Sequence, residues 1–345
     1  MNQFESTRRA TLRVTTAAAL LACGAKVEGA QPTGTSAGSV DPSRAAAQCV
    51  IPAKAGGGFE LTCGLARDAL QTVRPQAPLL TARYLPGGIG ALAFDRVATG
   101  QTGGDDTLIA FSSGSLLNMA QGRFGPHGPS SVRWLAALGA DYGVVAVPQQ
   151  SPYRNLQDLL NALRQDVGRV IFGAGGTVGS QDWVKAALLV RAAGRDHKAM
   201  RFVSFEGGGE ALSALRGGHV GVFTGDAAEA LASVGVPIRF LAVLADSRLP
   251  GPLERSPTAR EQGVDLVWRT VRGLYLSSQV SSETADAWRR AFDEALQDKA
   301  FPMLLKRHGL HPFSLTGSQL ELFVEKSLSE FQLLAANLGL PIWRK

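Results

Sequence analysis

Cys49-Val-Ile-Pro-Ala-Lys-Ala-Gly-Gly-Gly-Phe-Glu-Leu-Thr-Cys63 reads as the end of a strand, a glycine turn and the start of a helix. Three successive glycines, Gly56 to Gly58, let the backbone approach a bound group closely and aim bare N–H groups at it, as an anion-binding turn requires. The arrangement recurs. Gly87-Gly88-Ile89-Gly90, Gly173-Ala174-Gly175-Gly176-Thr177-Val178-Gly179-Ser180 and Gly207-Gly208-Gly209 each follow a strand-like run and precede a helical pattern. Strand, glycine turn and helix in alternation point to an α/β fold with parallel strands, in which ligands sit outside the carboxyl ends of the strands.

The wider pattern agrees. Strands are expected at 47–51, 79–84, 107–111, 142–147, 170–173, 200–204, 220–224, 240–244 and 273–277. Helices are expected at 62–73, 90–98, 155–165, 180–193, 210–216 and 227–232. From 282 to 337 the pattern turns almost wholly helical, over 283–297, 300–308 and 318–338, the last with an apolar stripe that reads as core. With 45% hydrophobic residues, a chain of this length can bury enough surface for two domains.

Residues 1–30 carry Arg8, Arg9 and Arg13, then an apolar run from Val14 to Cys23 and small residues, the layout of an export signal. That run is about half of the roughly 20 residues a bilayer span needs. Residues 31–46, rich in Pro, Gly, Ser, Thr and Ala, read as a flexible linker. Thr7-Arg8-Arg9-Ala10-Thr11-Leu12-Arg13 resembles the twin-arginine export motif, with Thr11 where an aromatic or apolar residue is usual; ordinary secretion is the alternative. Leu20-Leu21-Ala22-Cys23 resembles a lipobox, so Cys23 is either a lipidated N-terminus or part of the apolar run. Cys49 and Cys63 remain, and in an oxidising compartment they are expected to form a disulfide, against the alternative of two buried free thiols. A bridge closing such a loop contributes roughly 3 kcal/mol in the chain-entropy model.

The formal charge of +6 falls to +4 without residues 1–30, where Arg8, Arg9, Arg13 and Lys26 outweigh Glu5 and Glu28 by two. No dense Lys/Arg run with interleaved aromatics occurs, which disfavours nucleic acid and leaves room for a small anionic ligand. The histidines His127, His197, His219, His308 and His311 are scattered, so no metal site is expected. No phosphate-binding Gly-x-x-x-x-Gly-Lys-Ser/Thr is present, and Gly87 to Gly90 lacks the full dinucleotide spacing. Neither a cofactor nor a catalytic residue is assigned, and the chain is read as no enzyme. A secreted hydrolase using Ser112 or Ser113 is the enzymatic alternative.

Taken together, the Cys49 to Cys63 stretch, Tyr84-Leu-Pro-Gly-Gly-Ile-Gly-Ala91, Ala110-Phe-Ser-Ser-Gly-Ser-Leu-Leu-Asn118, Ala120-Gln-Gly-Arg-Phe-Gly125, Gly217-Gly-His-Val220, and Leu241-Ala-Val-Leu244 followed by Ser256-Pro-Thr-Ala-Arg-Glu-Gln-Gly263 resemble the tripartite tricarboxylate transporter receptors, also called the Bug family of extracytoplasmic solute receptors. The resemblance runs in order from about Cys49 to about Pro341. It implies a periplasmic, two-domain clamshell of the type II periplasmic-binding-protein kind with a helical C-terminal segment. Such a clamshell closes on a small carboxylate, di-, tri- or aromatic, and delivers it to a membrane permease. One domain would be 47–144 with 273–345 and the other 145–272, with hinges at 142–147 and 272–277. A monomer is expected.

Carried over residue by residue, the first loop would be Ala55 to Phe59, with the N–H groups of Gly57, Gly58 and Phe59 meeting one carboxylate. The second loop would be Gly175, Gly176, Thr177, Val178, Gly179 and Ser180, meeting another. Ser112, Ser113 and Gly114 would line the floor, and Asp226 could accept from a ligand donor. Glu60 stands where the family commonly has Asp, and its longer side chain either reshapes the pocket or acts on the loop's own N–H groups. A ligand sensor presenting its closed form to a membrane kinase shares every one of these features and is the alternative function.

Overall fold

The architecture comes from a computed structural model, which describes residues 45–342 except 234 and 236. The export signal, Cys23 and nearly all of the linker lie outside these residues. In chain order the elements are β1 (Gln48–Ile51), α1 (Gly58–Val73), β2 (Thr81–Tyr84), α2 (Ala91–Ala98), β3 (Thr107–Ser112), α3 (Ser113–Ala120), β4 (Val132–Pro148), α4 (Leu156–Gln165), β5 (Ile171–Gly175) and α5 (Gln181–Ala192). There follow β6 (Arg201–Phe205), α6 (Gly208–Arg216), β7 (Val222–Phe223), α7 (Ala227–Ala232), β8 (Ile238–Leu244), β9 (Arg269–Ser277), α8 (Ser282–Gln297), α9 (Phe301–Arg307), β10 (Leu315–Thr316) and α10 (Gly317–Asn337).

β4 organises the sheet. Residues 132–142 pair antiparallel with β9, which in turn pairs with β3, and β1 and β2 continue that half in parallel. From Gly143 onward β4 changes partner to β8, and Ala146 meets Phe223 of β7, beyond which β5 and β6 run parallel. One strand therefore belongs to two halves. The expectation of parallel sheets holds for the βα repeats but not for β4, β8 and β9, which cross between repeats and run antiparallel.

Each half carries helices on both faces of its strands. In the first, α1, α8 and α9 bury Leu65, Trp288, Phe292 and Leu305 on one face, while α2, α3 and α10 bury Phe94, Leu116 and Val324 on the other. In the second, α4 and α5 bury Leu159 and Val184 on one face, and α6 with α7 buries Leu212 and Ala230 on the other. α10 serves both halves. Its Leu320, Val324 and Leu328 pack into the first, Leu334 and the capping Leu338 just after the helix pack into the second, and Phe331 touches both.

The cysteines are bridged, with Cα atoms 5.8 Å apart, so β1 is tied to the second turn of α1. Two features escaped the pattern. The first part of β4, Val132 to Asp141, is rich in Leu and Ala and almost wholly buried, so it shows no polar alternation. α3 is buried at all eight of its positions and therefore has no amphipathic stripe; only its cap, Ser112 with Ser115, marks its start.

Candidate functional site

The strand-to-helix turns of both halves meet at the crossing of β4 and β9. Gly57 is the N-cap of α1 and Gly56 has a left-handed φ of 84°. Glu60 folds back so that its carboxylate accepts the Gly56 N–H at 2.6 Å. The longer side chain thus serves its own loop. The next donor, the Gly58 N–H, reaches across to Glu229 Oε2 at 3.2 Å. No side chain fits at Gly58, because a Cβ there would lie 1.9 Å from the Arg272 guanidinium.

The floor is built from α3. The Ser112 hydroxyl accepts the Gly114 N–H at 3.2 Å and the Ser113 hydroxyl accepts the Val271 N–H at 2.9 Å, so both cap or staple main chain. At α5, Ser180 caps the helix through the Trp183 N–H, and the Gly175 N–H donates to Asp182 Oδ2 at 2.8 Å. Thr177 and Gly179 face the end of α3. Arg123 donates to Thr177 Oγ1 at 2.7 Å, and Gln121 donates to the Gly179 carbonyl at 2.8 Å. On the opposite flank Lys54 pairs with Glu210 at 2.8 Å.

Between these turns lies a cavity of about 50 Å³. Of the residues expected from sequence, Gly57, Gly58 and Phe59, Ser112 and Gly114, Gly175 and Ser180, and Asp226 line it. Ala55, Ser113, Gly176, Thr177 and Gly179 do not. Ala55 instead borders a larger surface groove of about 870 Å³, along with the disulfide. Gly207 and Gly208, from another of the glycine turns marked in the sequence, also line it, and Ala53, Ile89, Asn118, Gln181, Asp182, Glu229 and Arg272, not assigned to the site from sequence, complete the wall.

Several of these belong to a buried ionic network. Arg272 donates to Asp141 at 2.6 Å and to Asp226 at 3.0 Å. Lys185 reaches Asp226 at 2.8 Å and Asp182 at 3.0 Å. Gln181 and Thr270 add hydrogen bonds to Asp226, which is 1% exposed. Asp226 is thereby saturated as the shared counter-ion of two cations. Burial alone would raise its pKa, but Lys185 and Arg272 outweigh that and hold it below the ordinary value. Burial likewise works against the charge on Lys185 and on Arg272, and in each case the neighbouring carboxylates prevail and the pKa is raised.

Glu229 is different. Its carboxyl is wedged above Gly208 and Gly225, where a Cβ would come within 2.3 and 2.5 Å of it. It accepts the Asp226 N–H at 3.0 Å as well as the Gly58 N–H. Burial, then the charges of Asp182 and Asp226, push its pKa up to about 8, so it holds a proton at neutral pH.

The signal for this network was a charged residue inside an otherwise apolar run. Asp141 interrupts β4, Arg272 interrupts β9 and Lys185 interrupts the buried face of α5, each less than 4% exposed. A charge so placed must be paired. Among the described residues, no group of three or more His, Cys, Asp or Glu is arranged to hold a metal, and no helix is long and apolar enough to cross a membrane.

Comparison with known proteins bears on the fold and the family. Structures of 16–20% identity that cover 84–86% of this chain and 98% of their own show the same fold. They are MatC from Rhodopseudomonas palustris with bound malate (TM-score 0.71, 20% identity), a second R. palustris protein with adipate (0.75, 20%) and the periplasmic binding protein BugD (0.75, 16%). The two-domain periplasmic-binding-protein clamshell is thus the fold of this chain. A UPF0065 protein encoded in the gbd 5' region of Cupriavidus necator is 21% identical over 204 residues, which span 59% of this chain and 60% of that relative. The family model of the tripartite tricarboxylate transporter family receptor matches residues 129–340. The chain belongs to that receptor family.

Proposed function

We propose that this protein is an exported receptor that captures a small carboxylate between its two lobes and delivers it to the membrane subunits of a tripartite tricarboxylate-type transporter. The observation that carries the reading is the convergence of glycine turns from both halves of the sheet on one cavity, Gly57 and Gly58 from the first and Gly175, Gly207 and Gly208 from the second. Helix N-termini offer unpaired N–H groups and a partial positive charge, which suit an anion without a dedicated arginine. Solved relatives described with malate and adipate support a carboxylate ligand.

In this reading the lobes are 47–144 with 273–345 and 145–272, and closure turns about β4 and β9 near 142–147 and 272–277. Ligand contacts from both lobes favour the closed form by their differential affinity. The ligand lies against Gly57, Gly58, Phe59, Ser112, Gly114, Gly175 and Ser180, with Asp226 behind them as the counter-ion of Lys185 and Arg272, and Ala55, Ser113, Gly176, Thr177 and Gly179 shape the loops around it. No bond is made or broken. The test is a thermal-shift screen with malate, adipate, citrate, succinate, glutamate, nicotinate and phthalate, on protein refolded to strip carried-over ligand. A true ligand at about a hundred times its Kd adds about 2.7 kcal/mol. Failure of every carboxylate to move the transition overturns the proposal.

A further inference from the structure

The wall of the cavity is richer in acceptors than a simple carboxylate cradle needs. Asp141, Asp182, Asp226 and Glu229 face only Lys185 and Arg272 in the buried network, so carboxyl groups outnumber cations by two to one. One donor of the first glycine turn is already taken, because the Gly58 N–H points at Glu229. A ligand carboxylate at that jaw would lie beside a carboxyl group of the protein itself. On the floor, Asn118 of α3 is 3% exposed and lines the cavity, yet its Oδ1 is buried without a hydrogen-bond partner. A buried acceptor with no donor is costly, and such groups in native sites await a ligand or water.

We infer that the cavity selects a monocarboxylate that also carries a hydrogen-bond donor, an ammonium before an amide, with Asn118 and Glu229 as the residues that read the donor. The inference rests on the carboxylate-receptor reading and narrows it. A second carboxylate on the ligand would add to the surplus of negative charge, whereas an ammonium relieves it and an amide N–H satisfies Asn118 at no electrostatic cost. The groups facing Glu229 are Asp226 at the cap of its own helix, Asp182 from α5, Arg272 from β9 and the Gly58 N–H from α1, with Lys185 behind, paired to Asp182 and Asp226. Against that background an arriving ammonium drives the proton off Glu229, and an arriving second carboxylate keeps it on.

The test uses ligands matched in length: succinate, succinamate and γ-aminobutyrate, and glutarate, glutaramate and δ-aminovalerate, titrated calorimetrically into the full chain in two buffers of different ionisation enthalpy. In at least one series the donor-bearing members should bind about tenfold tighter or more than the dicarboxylate, and the ammonium member should release protons. Asn118→Leu should cost the donor-bearing ligands about tenfold, and Asn118→Asp, which keeps an acceptor, should restore the preference. Should Asn118→Leu fail to fold, Glu229→Gln provides the second probe, since it should abolish the proton release. Dicarboxylates that bind as tightly as their matched amides and amines overturn the inference and leave the receptor reading standing. If none of the six binds while another carboxylate shifts the thermal transition, selection of a donor-bearing monocarboxylate is likewise overturned; if no carboxylate of any class binds, both fall.

Discussion

Glu229 sets a pH dependence that can be read without any ligand. Its pKa of about 8 in the folded chain lies above the ordinary value of 4.5. Between those values the folded state holds a proton that the unfolded chain has released, so the contribution of Glu229 to stability is full below about pH 4.5 and is lost as pH rises through about 8, with a limiting slope of about 1.4 kcal/mol per pH unit. Glu229→Gln removes that slope. The melting temperature of the variant should therefore fall less than that of the parent between about pH 5 and pH 8 in scanning calorimetry, and parallel declines would remove Glu229 from the account. At this scale the sequence was only half legible. The glycines announced themselves, because three in succession are rare and have a backbone meaning. Glu229 and Asn118 did not, because a glutamate in a short helix and an asparagine after two leucines are ordinary until folding places them in one wall.

At the scale of elements, α1 is held by more than its packing. The Cys49–Cys63 bridge fixes its second turn to β1, and Glu60 closes the turn before it. Replacing both cysteines by serine should lower stability by about 3 kcal/mol in denaturant titration. Affinity for a carboxylate should fall further than that loss alone accounts for, since the turn must then be ordered at each binding event. Unchanged affinity in the double variant would show that the turn needs no such brace. Helices with one exposed face, such as α4 and α8, were legible from their spacing, and their bounds agree with the expectation to within one residue. α3 and the first part of β4 were not, because an element buried on every side shows no period, and only capping chemistry or length could have revealed it.

For the whole molecule the C-terminal stripe had a straightforward expected role as core, and it is core, but of two halves at once. Leu338, 2% exposed, packs with the α4 and α5 face of the second half, where the Arg191 guanidinium and the His197 ring meet the carbonyls of Asn337 and Leu338. Leu338→Ala should cost about 2–5 kcal/mol, measured by denaturant unfolding. If this anchorage matters only to the second half, fluorescence of Trp183 and Trp288, one in each half, should report separate transitions in the variant; a single shared transition counts against it.

Joined only by β4 and by the segment that leads into β9, the halves would be able to twist as well as swing, much as two adjacent threads do. α10 is a third connection, and a stiff one. It passes over the crossing at Phe331, whose ring stacks on Trp268 with centroids 6.2 Å apart, one residue before β9 begins. In the proposed closure, parting of the halves would bend this rod or slide its last turns, and its length would resist torsion about the strands. The closure proposed above would then be confined to one kind of movement, a swing like that of a door on a pin, with Phe331 beside the pin.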